Sequence, residues 1–345
     1  MRVGVDGRKI PGAADHTPVQ ILEHAVELGM EGVYFRSVLD LTPTLDLGVL
    51  REVRARADEL GLYLQMGLAK VNPYAAAEAP EVRVLGEGDY TRGMQRMIVA
   101  CREGAGVDDL WVACANYKPQ LPGYYAFDRF RTDAPWGDQL VAIDKFLKLL
   151  APTVRDLGCH LNVETHEEIT SYEVVRLVES VGPDVMGITF DTANVVARGE
   201  DPLAAAARVA PYTRATHLRD VALGDIPGGL GRVFLPCGEG VIDWSRLLTE
   251  LHKANPDLPL SIECAGSSLV MPIDLDDPTW VALHPDLDPA EVAELRRLGA
   301  DYAQQVTRGE RLGLDDLTRR PYDGEAFVRE SARHLRDALA GIGAA

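Results

Sequence analysis

Eight times along this chain a short, apolar, β-branched run is followed by a stretch whose apolar residues recur at helical intervals. The strand candidates are 3–6, 32–36, 62–67, 110–115, 160–165, 187–191, 215–218 and 260–263. Helical spacing predicts helices over 18–27, 47–59, 90–103, 137–157, 171–181, 202–209 and 244–254. Glycine or proline often follows where a helix should stop, as in ELG at 59–61 and SVGPD at 180–184. Parallel strands need right-handed crossovers, and eight such units can close on themselves. The expected fold is therefore an α/β (β/α)8 TIM barrel rather than an open doubly wound sheet. No GxGxxG follows the first strand and no GxxxxGK[ST] occurs, so the common nucleotide-binding sheets are not expected.

A single domain over 1–345 is expected, with a barrel core over about 1–265 and a C-terminal helical extension over about 266–345 packing outside it. Four stretches break the rhythm. Those at 69–89 and 116–136 follow strands and should overlie the catalytic rim. The second carries Tyr117, Tyr124, Tyr125, Phe127, Phe130 and Trp136 and reads as a substrate lid or a partner surface. The glycine-rich stretch 219–240 follows the seventh strand, and 264–289 follows the eighth.

Charge narrows the function classes. The chain has 53 acidic against 35 basic side chains, a net charge of −18, which repels phosphate backbones, so a nucleic-acid partner is not expected. The first residues, MRVGVDGRKI, lack the apolar core of a signal peptide, and no run is long and apolar enough to span a bilayer. Together with Cys101, Cys114, Cys159, Cys237 and Cys264, an odd count without a CxxC pair, this points to a cytoplasmic protein with reduced thiols. Cys114 and Cys264 lie in apolar runs and read as packing residues.

In an alternating barrel the strand ends converge on one face, so site residues should recur about once per unit. They do so in LNVETH, GITFDTAN, ATHLRD and LSIEC, which place Glu164, Asp191, His217 and Glu263 at successive strand tips. Singly, such a carboxylate is more often a cap or loop hydrogen-bonder, and such a histidine a satisfied core residue. Three carboxylates aimed at one cavity repel unless a cation joins them. One imidazole with three hard oxygen donors suits Mn²⁺, Mg²⁺ or Co²⁺, with Mn²⁺ the first choice.

At these residues the chain resembles the xylose-isomerase-like superfamily of sugar isomerases and epimerases. Members hold one divalent metal with Glu, Asp, His and Glu on strands five to eight. The superfamily's DNA repair endonucleases use extra histidines, whereas Arg36 and Gly67 end strands two and three here. More narrowly, LNVETHEEITSYEVVRLVESVGPDVMGITFDTANV, with ATHLRD and PCGEGVIDW, is similar to the catalytic subunits of C-glycoside deglycosidases. Those are lyases on 3-oxo-glycosides, typically assembled with a small β-sandwich subunit. The resemblance implies a base at His166, a sugar or glycoside substrate, and a small β subunit or a homo-oligomer.

Side chains two apart on a strand share a face, so Glu164 and His166 should both point to the barrel mouth. His166 can then take the proton beside a metal-bound ketone, and β-elimination releases the aglycone. The alternatives are a keto-sugar epimerase or isomerase using the same site, and a non-catalytic sugar-binding subunit. Asn194, Arg219, Arg36, Asn116 and Lys70 are candidate substrate-binding residues, each equally readable as a structural salt bridge or loop bond.

Overall fold

A computed structural model describes residues 1–344. Barrel strands β1 (Arg2–Asp6), β2 (Gly32–Phe35), β3 (Tyr63–Lys70), β4 (Asp109–Ala113), β5 (His160–Glu164), β6 (Met186–Asp191) and β7 (Thr213–His217) are buried along most of their length. Both faces are covered, by core side chains inside and helices outside, so most positions are buried whichever way they point. A hairpin follows, β8 (Asp220–Ile226) and β9 (Gly229–Leu235), before the last barrel strand β10 (Pro259–Ile262) and a short β11 (Met271–Ile273).

The eight barrel strands pair in parallel in the order β10, β1, β2, β3, β4, β5, β6, β7. A parallel bridge between Leu218 and Ile262 closes the ring, with the Leu218 N–H donating to the Ser261 carbonyl at 2.8 Å. This is the (β/α)8 barrel expected from the alternation.

Helices α1 (Pro18–Glu27), α2 (Leu47–Glu59), α3 (Pro80–Leu85), α4 (Tyr90–Ala105), α5 (Trp136–Asp156), α6 (Ser171–Val181), α7 (Pro202–Val209) and α8 (Trp244–Ala254) form the crossovers. Local chemistry sets their ends. Thr17 with Gln20 and Thr170 with Glu173 form capping boxes that satisfy the first free N–H groups of α1 and α6. All five cysteines are buried and free.

The end of the chain supplies α9 (Pro278–Ala282), α10 (Pro289–Thr307), α11 (Leu314–Arg319) and α12 (Gly324–Gly341). Helix α12 buries Phe327, Val328, Ala332, Leu335 and Leu339 in the same core as the barrel strands, packed against α8 and β1. It takes the place of the eighth barrel helix, so the main core runs past residue 265. Helix α10 packs on β8 and α11 on β9.

The stretch 219–240, read as a glycine-rich loop, is largely the β8–β9 hairpin, to which β11 adds a third antiparallel strand. Its glycines sit at and beside the turn, where Gly228 has φ 89°.

Candidate functional site

Register decides which side chains meet. Asp191 and His217 are direct partners across β6 and β7, and the Glu263 N–H donates to the Leu218 carbonyl at 3.1 Å, one residue past His217. Glu164 ends β5 opposite Thr189, two residues below Asp191, as the stagger of a barrel requires. One ligand atom from each of Glu164, Asp191, His217 and Glu263 lies within 4.8 Å of the others, and all four residues are buried. His217 Nδ1 is 2.9 Å from Glu164 Oε1 and 3.9 Å from Glu263 Oε2.

A shell of donors holds the carboxylates. Trp111 Nε1 donates to Glu164 Oε2 at 2.9 Å. Asp191 Oδ1 accepts from the Ala193 and Asn194 N–H groups, each at 2.9 Å, and Oδ2 from Asn194 Nδ2 at 3.0 Å and Arg219 Nη2 at 2.7 Å. Arg36 bridges Asp6 Oδ2, at 2.7 Å, and Glu263 Oε1. The guanidinium of Arg219 lies 4.1 Å from the Phe234 ring centroid. Burial alone would raise the Glu164 carboxyl, but His217, His166 and Arg36 overcome it and hold the group well below the usual carboxylate range.

The remaining candidates fall at different places. His166 Nδ1 is hydrogen-bonded to Glu168, and the ring is partly exposed, at 18% of its side-chain surface. Burial disfavours its charged form, yet the carboxylates of Glu168 and Glu164 prevail and raise its pKa. Lys70 Nζ donates to the Ala115 carbonyl at 2.9 Å and lies 5.3 Å from the Trp111 ring centroid. Burial lowers its pKa against the pull of Glu168 and Glu164. Arg36, Arg219 and Asn194 contact the four-residue cluster directly. Asn116 is exposed, and its amide donates to Glu78 Oε2 at 3.0 Å on the rim.

Asp6, Tyr34, Trp111 and Glu168 were absent from the sequence-based set. The Tyr34 ring lies 4.7 Å from that of His217, and its hydroxyl is buried without a partner. Asp6 could have been found, since it ends the first strand in VGVD. Trp111 sits mid-strand in an apolar run, where nothing local distinguishes a site residue from core.

The donor set fits a divalent cation. Glu263 Oε2 is buried and lacks a hydrogen-bond donor; Arg219 Nη2 lies 3.2 Å away without the alignment a hydrogen bond needs. A buried carboxylate oxygen without a hydrogen-bond donor, beside two more carboxylates and an imidazole, is what a hard cation would satisfy.

A profile of the xylose isomerase-like TIM barrel family matches residues 22–282. This chain belongs to that family. Among family-level relatives, the uncharacterized protein YihM of Escherichia coli is 31% identical over 122 residues, 35% of this chain and 37% of that protein. A 3-oxo-isoapionate decarboxylase of Pectobacterium atrosepticum is 26% identical over 118 residues, 34% of this chain and 42% of the enzyme. The chain thus spans less than half the length of these two curated relatives. The structure of an L-ribulose 3-epimerase superposes with a TM-score of 0.59 at 17% identity, covering 99% of this chain and 95% of that one. At that identity the likeness is one of fold. No helix among the described residues is long and apolar enough to cross a membrane.

Proposed function

We propose that this xylose isomerase-like barrel is a divalent-metal-dependent enzyme that removes a proton from the carbon beside the carbonyl of a keto-sugar. The observation that carries the reading is the convergence of ligand atoms of Glu164, Asp191, His217 and Glu263 within 4.8 Å, with one buried carboxylate oxygen left without a hydrogen-bond donor. A cation held there, Mn²⁺ by preference, would polarise a sugar carbonyl and acidify the neighbouring C–H. His166 is the proton carrier: Nδ1 is held by Glu168, so the other ring nitrogen is left for substrate. Arg36, Arg219 and Asn194 hold the carboxylates in place and offer donors to sugar hydroxyls. Return of the proton by His166 to the adjacent carbon gives isomerisation, and protonation of the planar enediolate by a second acid on the opposite face gives epimerisation, the outcome that the fold likeness to L-ribulose 3-epimerase supports.

The second reading is a lyase on 3-oxo-glycosides, in which the same proton abstraction is followed by loss of the substituent β to the carbonyl. The ETH and TFDTAN runs around Glu164 and Asp191 favour it. The deciding experiment is incubation of 3-keto-glucose with the Mn²⁺-treated protein in D₂O. Deuterium at the carbon beside the carbonyl is expected, and its loss in His166→Ala. Exchange that survives unchanged in His166→Ala removes the assigned base, and absence of exchange in the wild type removes the reaction class.

A further inference from the structure

Near its end, strand β3 carries one residue more than its pairing with β4 accommodates. Gly67 pairs with Trp111, but the next partners are Lys70 and Ala113, three residues on along β3 against two along β4. The extra residue is a bulge, and a bulge reverses the side to which the following side chains point. Trp111 faces the inside of the barrel, since its indole bonds Glu164, and Ala113, two residues further, packs with Trp111 and Tyr34 on that same face. In an unbroken ladder Ala69 would lie opposite Ala113, and Lys70 would turn to the helices. The bulge instead turns Lys70 inward, where Nζ lies 5.3 Å from the Trp111 ring centroid.

The ammonium is poorly used as a structural group. An ammonium has three donors, and Nζ spends one, on the Ala115 carbonyl at 2.9 Å, with no ion pair to any described residue. By contrast Lys118, on the loop that follows β4, is held by two carboxylates, Glu78 at 2.9 Å and Asp128. Lys70 is 8% exposed, and burial works against its charge. The carboxylates of Glu168, Glu164 and Glu78 pull toward the charged form and Arg36 opposes it, but burial outweighs the pull. A lysine so placed gives up a proton more readily than one in water. Its charge also reaches the proposed base, opposing protonation of both His166 and Glu168. Strands β3 and β5 stand on either side of β4, so Lys70 and His166 approach the barrel mouth from different sides.

We propose that Lys70 is the second acid of the site, the group that gives a proton to the enediolate on the side His166 does not reach. The proposal rests on the keto-sugar reading above. In the first step His166 takes the proton from the carbon beside the carbonyl. In the second an N–H bond of the Lys70 ammonium breaks as the enediolate's electron pair forms the new C–H bond, and the carbonyl is restored. The neutral amine then takes a proton from water, and His166 loses one to it. Inverting the carbon needs both residues, whereas exchanging its proton needs His166 alone.

The test follows 3-keto-glucose in D₂O by NMR with the Mn²⁺-treated wild type, Lys70→Met and Lys70→Arg. Arginine keeps the charge and the donors but does not release a proton. The wild type is expected to form a deuterated epimer. Both variants should still put deuterium into the recovered sugar while forming the epimer at least about 100-fold more slowly. Their Mn²⁺ affinity, which a merely structural role beside Trp111 and Glu164 would alter, should stay at the wild-type value. Undiminished epimer formation in Lys70→Arg overturns the assignment, as does loss of exchange together with the epimer, or loss of the epimer with weakened Mn²⁺ binding. So does a wild type that exchanges the proton yet yields no epimer, which leaves the keto-sugar reading standing. A wild type that exchanges nothing removes that reading, and the assignment falls with it. Should Lys70→Met fail to fold, Lys70→Arg decides alone.

Discussion

The indole N–H of Trp111 donates to Glu164 Oε2 at 2.9 Å, so that Oε1 faces His217, also at 2.9 Å. A residue on β4 thereby orients a side chain at the tip of β5, and Arg36 on the far side does the same for Glu263. The cluster is held in place by side chains that do not belong to it.

Trp111→Phe keeps most of the ring volume and removes only the donor. Outer-shell partners of this kind typically affect metal affinity 10–100-fold. Mn²⁺ affinity, measured by competition with a chelating dye, is expected to fall by about tenfold while the urea midpoint changes little. Unchanged affinity would mean that Glu164 needs no orientation from Trp111.

Removal of divalent ions should destabilise the chain, because three buried carboxylates then share one region without the divalent charge that would bind them together. Mn²⁺ at about 100 times its dissociation constant should restore about 2.7 kcal/mol. A rise in Tm on adding Mn²⁺ to chelator-treated protein is the expected result, with no rise in Asp191→Asn or Glu263→Gln. The same rise in both variants would place the ion elsewhere.

Gly67 is where β3 makes room for the site. A Cβ there would lie 1.9 Å from the Arg36 carbonyl oxygen and 2.7 Å from Trp111 Cε3. Gly67→Ala must move backbone or indole, so a loss of about 1–3 kcal/mol in urea unfolding is expected, with a shifted Trp111 fluorescence spectrum. A variant as stable as the wild type would show that the strand yields at no cost.

Glu200 sets a pH dependence away from the site. Burial pushes its carboxyl up to about 7, against the hydrogen bonds from Ser171 and the charge of Arg208, which lower it. Between its ordinary 4.5 and about 7 the folded chain binds one more proton here than the unfolded chain. The contribution to stability is therefore full below the ordinary value, declines as pH rises and levels off above about 7, a change of about 3 kcal/mol at most. Urea midpoints between pH 5 and 8 should fall less steeply in Glu200→Gln. Parallel pH profiles for the two proteins would contradict the raised value.

Much of the architecture was legible because its signals are local. Alternation of period 2 and period 3.6 is written along the chain, and five crossover helices, including α1 and α6, begin and end where spacing and caps put them. The hairpin was missed because glycines outweighed the strand pattern of DVALGDI and GLGRVFL, and the role of α12 because packing against β1 joins opposite ends of the chain.

The sequence alone determined that Glu164, Asp191, His217 and Glu263 end consecutive barrel strands, since each lies at the close of an apolar run whose length and spacing are local properties. Only the closed barrel decided what surrounds them. Arg36 meets Glu263 across 227 positions, Trp111 meets Glu164 across 53, and Asn116 turns to Glu78 on the rim. Such pairings depend on strand stagger and ring closure, and these emerge from packing the whole core rather than from any one segment.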